Sequence, residues 1–152
     1  MDRVVEALRA GGITPDVREF PQSTRTAEEA AAAVGTTLGQ IVKSLVFFAD
    51  GAPVLVLVSG ANRVDPAKLA AACGAQAVRR ASAADVHRAT GFAIGGVPPV
   101  GHARPLPTYL DRDLLQYDVV YASAGTHTAV FAIAPARLQA LTAATPADVA
   151  AP

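Results

Sequence analysis

A lysine inside an apolar, strand-like run is the first residue that invites a chemical reading. In Ile41-Val42-Lys43-Ser44-Leu45-Val46-Phe47, strand alternation puts Lys43 on one face with Ile41, Leu45 and Phe47. Val42, Ser44, Val46 and Phe48 take the other face. Either register leaves a cation beside aliphatic neighbours, where desolvation is costly without a partner. Two readings are open. Lys43 either snorkels its ammonium into water from a strand end, or stands at a pocket edge facing a phosphate or a polarised carbonyl.

The second such stretch is Thr90-Gly91-Phe92-Ala93-Ile94-Gly95-Gly96-Val97-Pro98-Pro99-Val100-Gly101-His102. It packs four glycines and two prolines into thirteen residues. Glycine lets another molecule approach the main chain closely, whereas Pro98 and Pro99 fix φ and stiffen what precedes them. Such a loop can hold the N–H groups of Gly95, Gly96 and Val97 in one arrangement. Read alone, it fits a tight helix-to-strand connection equally well.

Other candidates carry weaker signals. His102 follows the loop and is a candidate contact residue. His87 and His127 have neither close pairing nor the companion cysteines or carboxylates of a metal site, so no metal is expected. Ser59-Gly60-Ala61-Asn62 and Ser123-Ala124-Gly125 end apolar strands, where polar groups point into clefts or close turns. A G-x-S-x-G elbow is lacking, as are a G-x-x-x-x-G-K-[ST] loop and a G-x-G-x-x-G motif after a strand. A serine triad, ATP and dinucleotides are therefore disfavoured, and no cofactor is implied.

The elements that must position these residues follow from periodicity and punctuation. Val4, Val5 and Leu8 share a helical face that ends at Gly11-Gly12, and Asp16 to Phe20 reads as a short strand. Thr26-Ala27-Glu28-Glu29 is a capping box opening an alanine-rich helix that ends at Gly35. Ile41 to Ala49 and Val54 to Ser59 are strands joined at Asp50-Gly51, apolar enough for burial on both faces. Asp65-Pro66 opens a helix to about Cys73, and Ser82 to Asp85 caps another that reaches Thr90-Gly91. Ala75 to Arg79, Leu106 to Leu110, Val119 to Ser123 and Thr128 to Ile133 are strands, and Pro135 starts a closing helix. Residues 143–152 read as a frayed tail. The expectation is one α/β domain over 1–152, with a mixed, largely antiparallel central sheet flanked by helices.

Bulk composition narrows the partners. The 152 residues are 51% hydrophobic and 17% charged, as in a soluble domain with a full core. Apolar runs are too short to cross a bilayer, and residues 2–6 do not read as a secretory signal, so no membrane association is expected. A single cysteine, Cys73, excludes an internal disulfide and fits a cytoplasmic location. Zero formal net charge, with no basic cluster larger than Arg79-Arg80, argues against DNA or an extensive duplex surface. A small contact with a strand end remains open, and a monomer is the default expectation.

Four segments together resemble the YbaK/ProX family of aminoacyl-tRNA deacylases, related to the editing domain of bacterial prolyl-tRNA synthetases. They are Ile41 to Phe47, the Gly95 to Gly101 loop, Leu106-Pro107-Thr108-Tyr109-Leu110-Asp111, and Val120-Tyr121-Ala122-Ser123-Ala124-Gly125. The likeness runs from about Val4 to Leu141. It implies hydrolysis in trans of the ester joining a wrong, small amino acid (Ala, Ser, Thr or Cys) to tRNA, with tRNA for proline expected. The family's lysine falls on Lys43, its G-x-x-x-P loop on Gly95 to Pro99, its small polar residue on Ser44 and its strand-end serine on Ser123. An acidic residue that the YbaK subgroup carries beyond this turn is missing from Thr126-His127-Thr128-Ala129-Val130, which points away from cysteine.

The resemblance implies Lys43, Gly95 and Gly96 as the catalytic set. Phe20, Thr26, Ser44, Phe47, Ser59, Val97, Pro98, Pro99, Gly101, His102, Ser123 and Gly125 are the candidate substrate contacts. The expected partner is the aminoacyl-tRNA acceptor end, delivered by a synthetase or another carrier. Alternatives are a non-catalytic amino-acid or nucleotide binding module on the same fold, and an esterase for other small acyl esters.

Overall fold

The computed structural model describes residues 1–152. Its helices begin where local side chains satisfy the first backbone N–H groups. Helix α1 spans Asp2–Ala10 and α2 spans Ala27–Val34. At the start of α2, Thr26 Oγ1 accepts from the Glu29 N–H and Glu29 Oε1 accepts from the Thr26 N–H, each at 3.1 Å. Helix α3, Pro66–Cys73, begins at Asp65, whose Oδ1 accepts from the Ala67 N–H at 2.9 Å. Helix α4, Ala83–Thr90, repeats the capping box with Ser82 and Asp85. Helix α5, Pro135–Thr142, starts on its proline. No helix is long and apolar enough to cross a membrane.

Eight strands form one mixed sheet. They are β1 Val17–Glu19, β2 Ile41–Ala49, β3 Ala52–Ser59, β4 Val78–Arg80, β5 Thr108–Asp111, β6 Val120–Ser123, β7 Ala129–Ile133 and β8 Thr145–Ala147. The main order is β1-β7-β6-β2-β3-β5-β8, with β4 attached to β2. Antiparallel pairs are β1–β7, β2–β3, β2–β4 and β6–β7, and parallel pairs are β2–β6, β3–β5 and β5–β8.

Strand β2 organises this sheet unequally. One edge pairs with β3 from Val42 to Ala49. The other pairs with β6 only at Ile41 and Val42, and with β4 only from Phe47 to Ala49. Between these partners, residues 43–46 face an opening in the sheet.

Helices cover both sheet faces. On one, α1, α4, α5 and the glycine-proline loop enclose the main core, including Val42, Val46, Leu57, Leu110 and Phe131. On the other, α2 packs over Ile41 and Val130, while α3 packs over Phe47, Val54 and Val56. Strand β3 is buried from Val54 to Ser59, as its unbroken apolar run requires.

The tail corrects the sequence expectation of fraying. β8 pairs in parallel with β5, Val64 bridges Ala150, and the Ala151 N–H donates to the Arg63 carbonyl at 2.7 Å. Val149 is fully buried beside Leu69. Pro146 is tolerated because β8 is the outermost strand, where one side of the ladder needs no donor. We predict that Val149→Ala lowers unfolding free energy by about 2 kcal/mol in urea denaturation. A frayed tail would give no measurable change.

Candidate functional site

The interruption in β2 pairing opens into a cavity of about 420 Å³. β2 contributes Ile41 to Val46, and the approach to α2 contributes Thr24 to Glu28 and Ala30. Arg80, Ala81 and Val86 close one end; Tyr121, Ala122, Ser123 and Val130 close the other; Ile94, Gly95 and Val97 come from the glycine-proline loop. Ile41, Lys43 and Leu45 face one side of the sheet while Val42, Ser44 and Val46 face the other. The cavity therefore reaches both sides at the opening. The Ala81 N–H donates to the Val46 carbonyl at 3.1 Å, so Val46 turns its backbone polar groups toward this edge. By strand alternation, Ser44 does the same.

Lys43 is held by a chain of polar contacts rather than left free. Its Nζ donates to the Asn62 carbonyl at 2.6 Å. Asn62 Nδ2 donates to Asp111 Oδ2 at 2.8 Å and to Asp113 Oδ2 at 2.9 Å. Asp111 is 1% exposed and accepts from the Ser59 N–H (3.1 Å) and the Asp113 N–H (3.0 Å) as well. This buried carboxylate thus fixes the segment whose carbonyl receives the lysine. Burial pushes the Lys43 pKa down, Glu28 opposes that, and Arg80 and Arg63 reinforce it; Asp111 also opposes. Arg25 and Arg80 join Lys43 in the cavity wall against one acid, Glu28, so the site favours an anion.

The loop is built on Thr90, whose fully buried Oγ1 donates to the Val86 carbonyl at 2.7 Å and accepts from the Phe92 N–H at 3.0 Å. Gly95 has φ +83°, and a Cβ there would lie 2.6 Å from Arg25 Cγ. Only glycine permits both the conformation and the arginine stem across it. The N–H groups of Gly95 and Val97 donate to no group of the protein and belong to residues of the cavity wall. The Gly96 N–H, by contrast, donates to the Ala93 carbonyl at 3.0 Å. Beyond the loop, His102 Nε2 donates to the Pro98 carbonyl at 2.5 Å, since a carbonyl can only accept. Burial pushes the His102 pKa down, partly offset by the hydrogen bond to that carbonyl.

Of the residues singled out in the sequence, the cavity brings together Lys43, Ser44, Thr26, Gly95, Val97 and Ser123. The others lie elsewhere, for identifiable reasons. Gly96 spends its N–H within the loop and packs against His127. Phe47 shares a face with Lys43 but lies four residues along the strand, about 13 Å away, under α3. Ser59 is buried, its Oγ donating to the Gly39 carbonyl at 2.7 Å. Phe20 packs against the α2 cluster, and Gly125 sits beneath Phe92 with its N–H on Ser123 Oγ. Pro99, Gly101 and His102 face a separate groove beside α1 and α5, and Pro98 is buried at the turn between the two cavities. Thr24, Arg25, Glu28, Arg80 and Tyr121 were not anticipated. Glu28 lies in the capping box, Tyr121 in the Val120 to Gly125 segment and Arg80 in the Arg79-Arg80 pair, but nothing local aims any of them at the cavity; Arg79 stacks on Phe48 instead, 4.4 Å from the ring centre.

The chain belongs to the aminoacyl-tRNA editing domain family, whose model matches residues 21–141. It is 36% identical to YwhH of Bacillus subtilis over 124 residues, covering 81% of this chain and 78% of that one. It is 33% identical over 118 residues to EbsC of Enterococcus faecalis, named a putative Cys-tRNA(Pro)/Cys-tRNA(Cys) deacylase (77% and 72% covered). A proline–tRNA ligase of Nitratidesulfovibrio vulgaris matches at 38% over 89 residues, 59% of this chain and 16% of the ligase. A crystal structure described as a putative trans-editing enzyme for prolyl tRNA synthetase superposes with a TM-score of 0.92 and 51% identity, covering 99% of this chain and 96% of that one.

The Asp111 contacts generate a stability prediction. Asp111→Asn places an amide donor where a carboxylate now receives three N–H groups. It is expected to cost about 2 kcal/mol in urea denaturation. A change within error would show that the Asn62 segment is held by other means.

Proposed function

We propose that the protein removes a wrong, small amino acid from the 3′ end of tRNA in trans, with tRNA for proline as the carrier. The observation that carries this reading is a single cavity whose wall holds the half-buried Lys43 together with Gly95 and Val97, the two loop residues whose N–H groups have no partner in the protein. That volume suits an aminoacyl group with part of the terminal ribose. Family membership and the trans-editing neighbour support the substrate class.

An aminoacyl ester is labile, so orienting a water and stabilising the developing oxyanion suffices. In this reading the ester carbonyl oxygen accepts from the Gly95 and Val97 N–H groups. Water attacks the carbonyl carbon, the bond to the ribose oxygen breaks, and that oxygen takes up a proton. Free amino acid and uncharged tRNA leave. Lys43 acts as a cation near the ester or the terminal phosphate, with Arg25 and Arg80 at the rim as further phosphate ligands. Positive charge gathered at the cavity on a chain of zero net charge fits contact with the acceptor end alone. Delivery of the tRNA then falls to a synthetase or another carrier.

The purified protein should release amino acid from at least one of alanyl-, seryl-, threonyl- and cysteinyl-tRNA for proline. Lys43→Ala should lower kcat/KM by about a hundredfold or more, the scale of losing one charge-stabilising group. No release above buffer for any ester, or full activity in that variant, counts against the reading; saturable binding without turnover would favour a binding module.

The pH dependence has a definite sign. Lys43 is cationic below its pKa, and burial lowers that pKa. Activity above the buffer rate should therefore fall with rising pH before the ordinary lysine range of roughly 10.4 is reached. A rate that climbs through that range would instead make neutral Lys43 a base.

A further inference from the structure

Buried hydroxyl oxygens in folded proteins nearly always have a hydrogen-bond partner. Two in this chain do not, Thr24 Oγ1 and Ser44 Oγ, and both residues line the same cavity. Buried hydroxyls elsewhere are satisfied: Ser59 Oγ donates to the Gly39 carbonyl and Thr90 Oγ1 to the Val86 carbonyl, each at 2.7 Å. The unpaired pair is thus confined to the site.

Neither residue is loosely placed. Thr24 is 8% exposed, and its N–H donates to the His127 carbonyl at 2.7 Å. Ser44 is held in the middle of β2, paired with Leu57 of β3 on its closed edge. The cavity wall also carries Val42, Val46, Val97, Ala122 and Val130, which offer a substrate side chain only apolar contact.

This pattern distinguishes substrates by chemistry rather than by size. A methyl group filling the space leaves both hydroxyls cut off from any partner, or displaces a water it cannot replace. A substrate hydroxyl, as donor and acceptor, can bond either of them. A thiol is weak in both roles. Sites built to bond a substrate hydroxyl reject the analogue lacking it far more strongly than apolar pockets separate a methylene.

We propose that Thr24 and Ser44 are specificity-determining residues that select a hydroxylated aminoacyl group, seryl or threonyl, over alanyl and cysteinyl. The proposal rests on the deacylase reading above and names its substrate.

The test is single-turnover deacylation of tRNA for proline carrying serine, threonine, alanine or cysteine, by the unaltered protein and by Thr24→Val and Ser44→Ala. The unaltered protein is expected to prefer seryl over alanyl ester by about tenfold or more. Each variant should narrow that ratio at least threefold, with seryl release slowed more than alanyl release. Circular dichroism reports whether each variant folds, and Ser44→Ala stands by itself if Thr24→Val does not. An alanyl ester cleaved as fast as the seryl ester overturns the proposal and leaves the deacylase reading standing. So does a ratio unchanged in the folded variants. No release from any ester overturns both.

Discussion

A strand with one edge fully paired and the other left open in its middle has polar backbone groups that need partners beyond the sheet. In β2 this opening falls between the last contact with β6, at Val42, and the first with β4, at Phe47. An ordinary sheet would close it. Here the divergence of β6 and β4 keeps it open, and α2 on one face and α4 with the loop on the other prevent it from being solvent alone. Lys43 and Ser44 occupy the opening, so their positions follow from where the neighbouring strands stop.

Two supports hold this arrangement. On the β3 side, buried Asp111 gathers Ser59, Asn62 and Asp113, and the Asn62 carbonyl then receives the Lys43 ammonium. On the loop side, Thr90 anchors the entry and His102 holds the Pro98 carbonyl at the exit. Gly95 and Val97 lie between these anchors with N–H groups uncommitted. Both supports lie outside the cavity, and in the proposed reaction they let weak groups act by position instead of by unusual reactivity.

Local chemistry was readable in the sequence wherever it acts within a few residues. Capping at Thr26, Asp65 and Ser82 placed three helices, and a lysine in an apolar strand marked the cavity. The mixed sheet and its flanking helices also followed from element order. What local reading missed depends on distant pairing. β8 forms only because residues 145–147 meet β5, and Arg80 reaches the site because β4 returns to β2. Thr24 has no motif, and its place depends on the His127 carbonyl over a hundred residues away. Strand alternation chose the correct face for Phe47 but not the distance, and the prolines after Val97 carry the chain out of the cavity rather than along it.

The chain belongs to the aminoacyl-tRNA editing family, and the opening in β2 is where we propose that the reaction takes place. The most direct measurement is titration of the isotopically labelled protein with a non-hydrolysable amide analogue of a 3′-aminoacyl adenosine, followed by amide NMR shifts. The account predicts that the amides of Ser44, Gly95 and Val97 shift together and saturate at one ligand concentration, while Gly101 and the groove beside α1 stay still. Shifts confined to that groove, or none in β2, would contradict it.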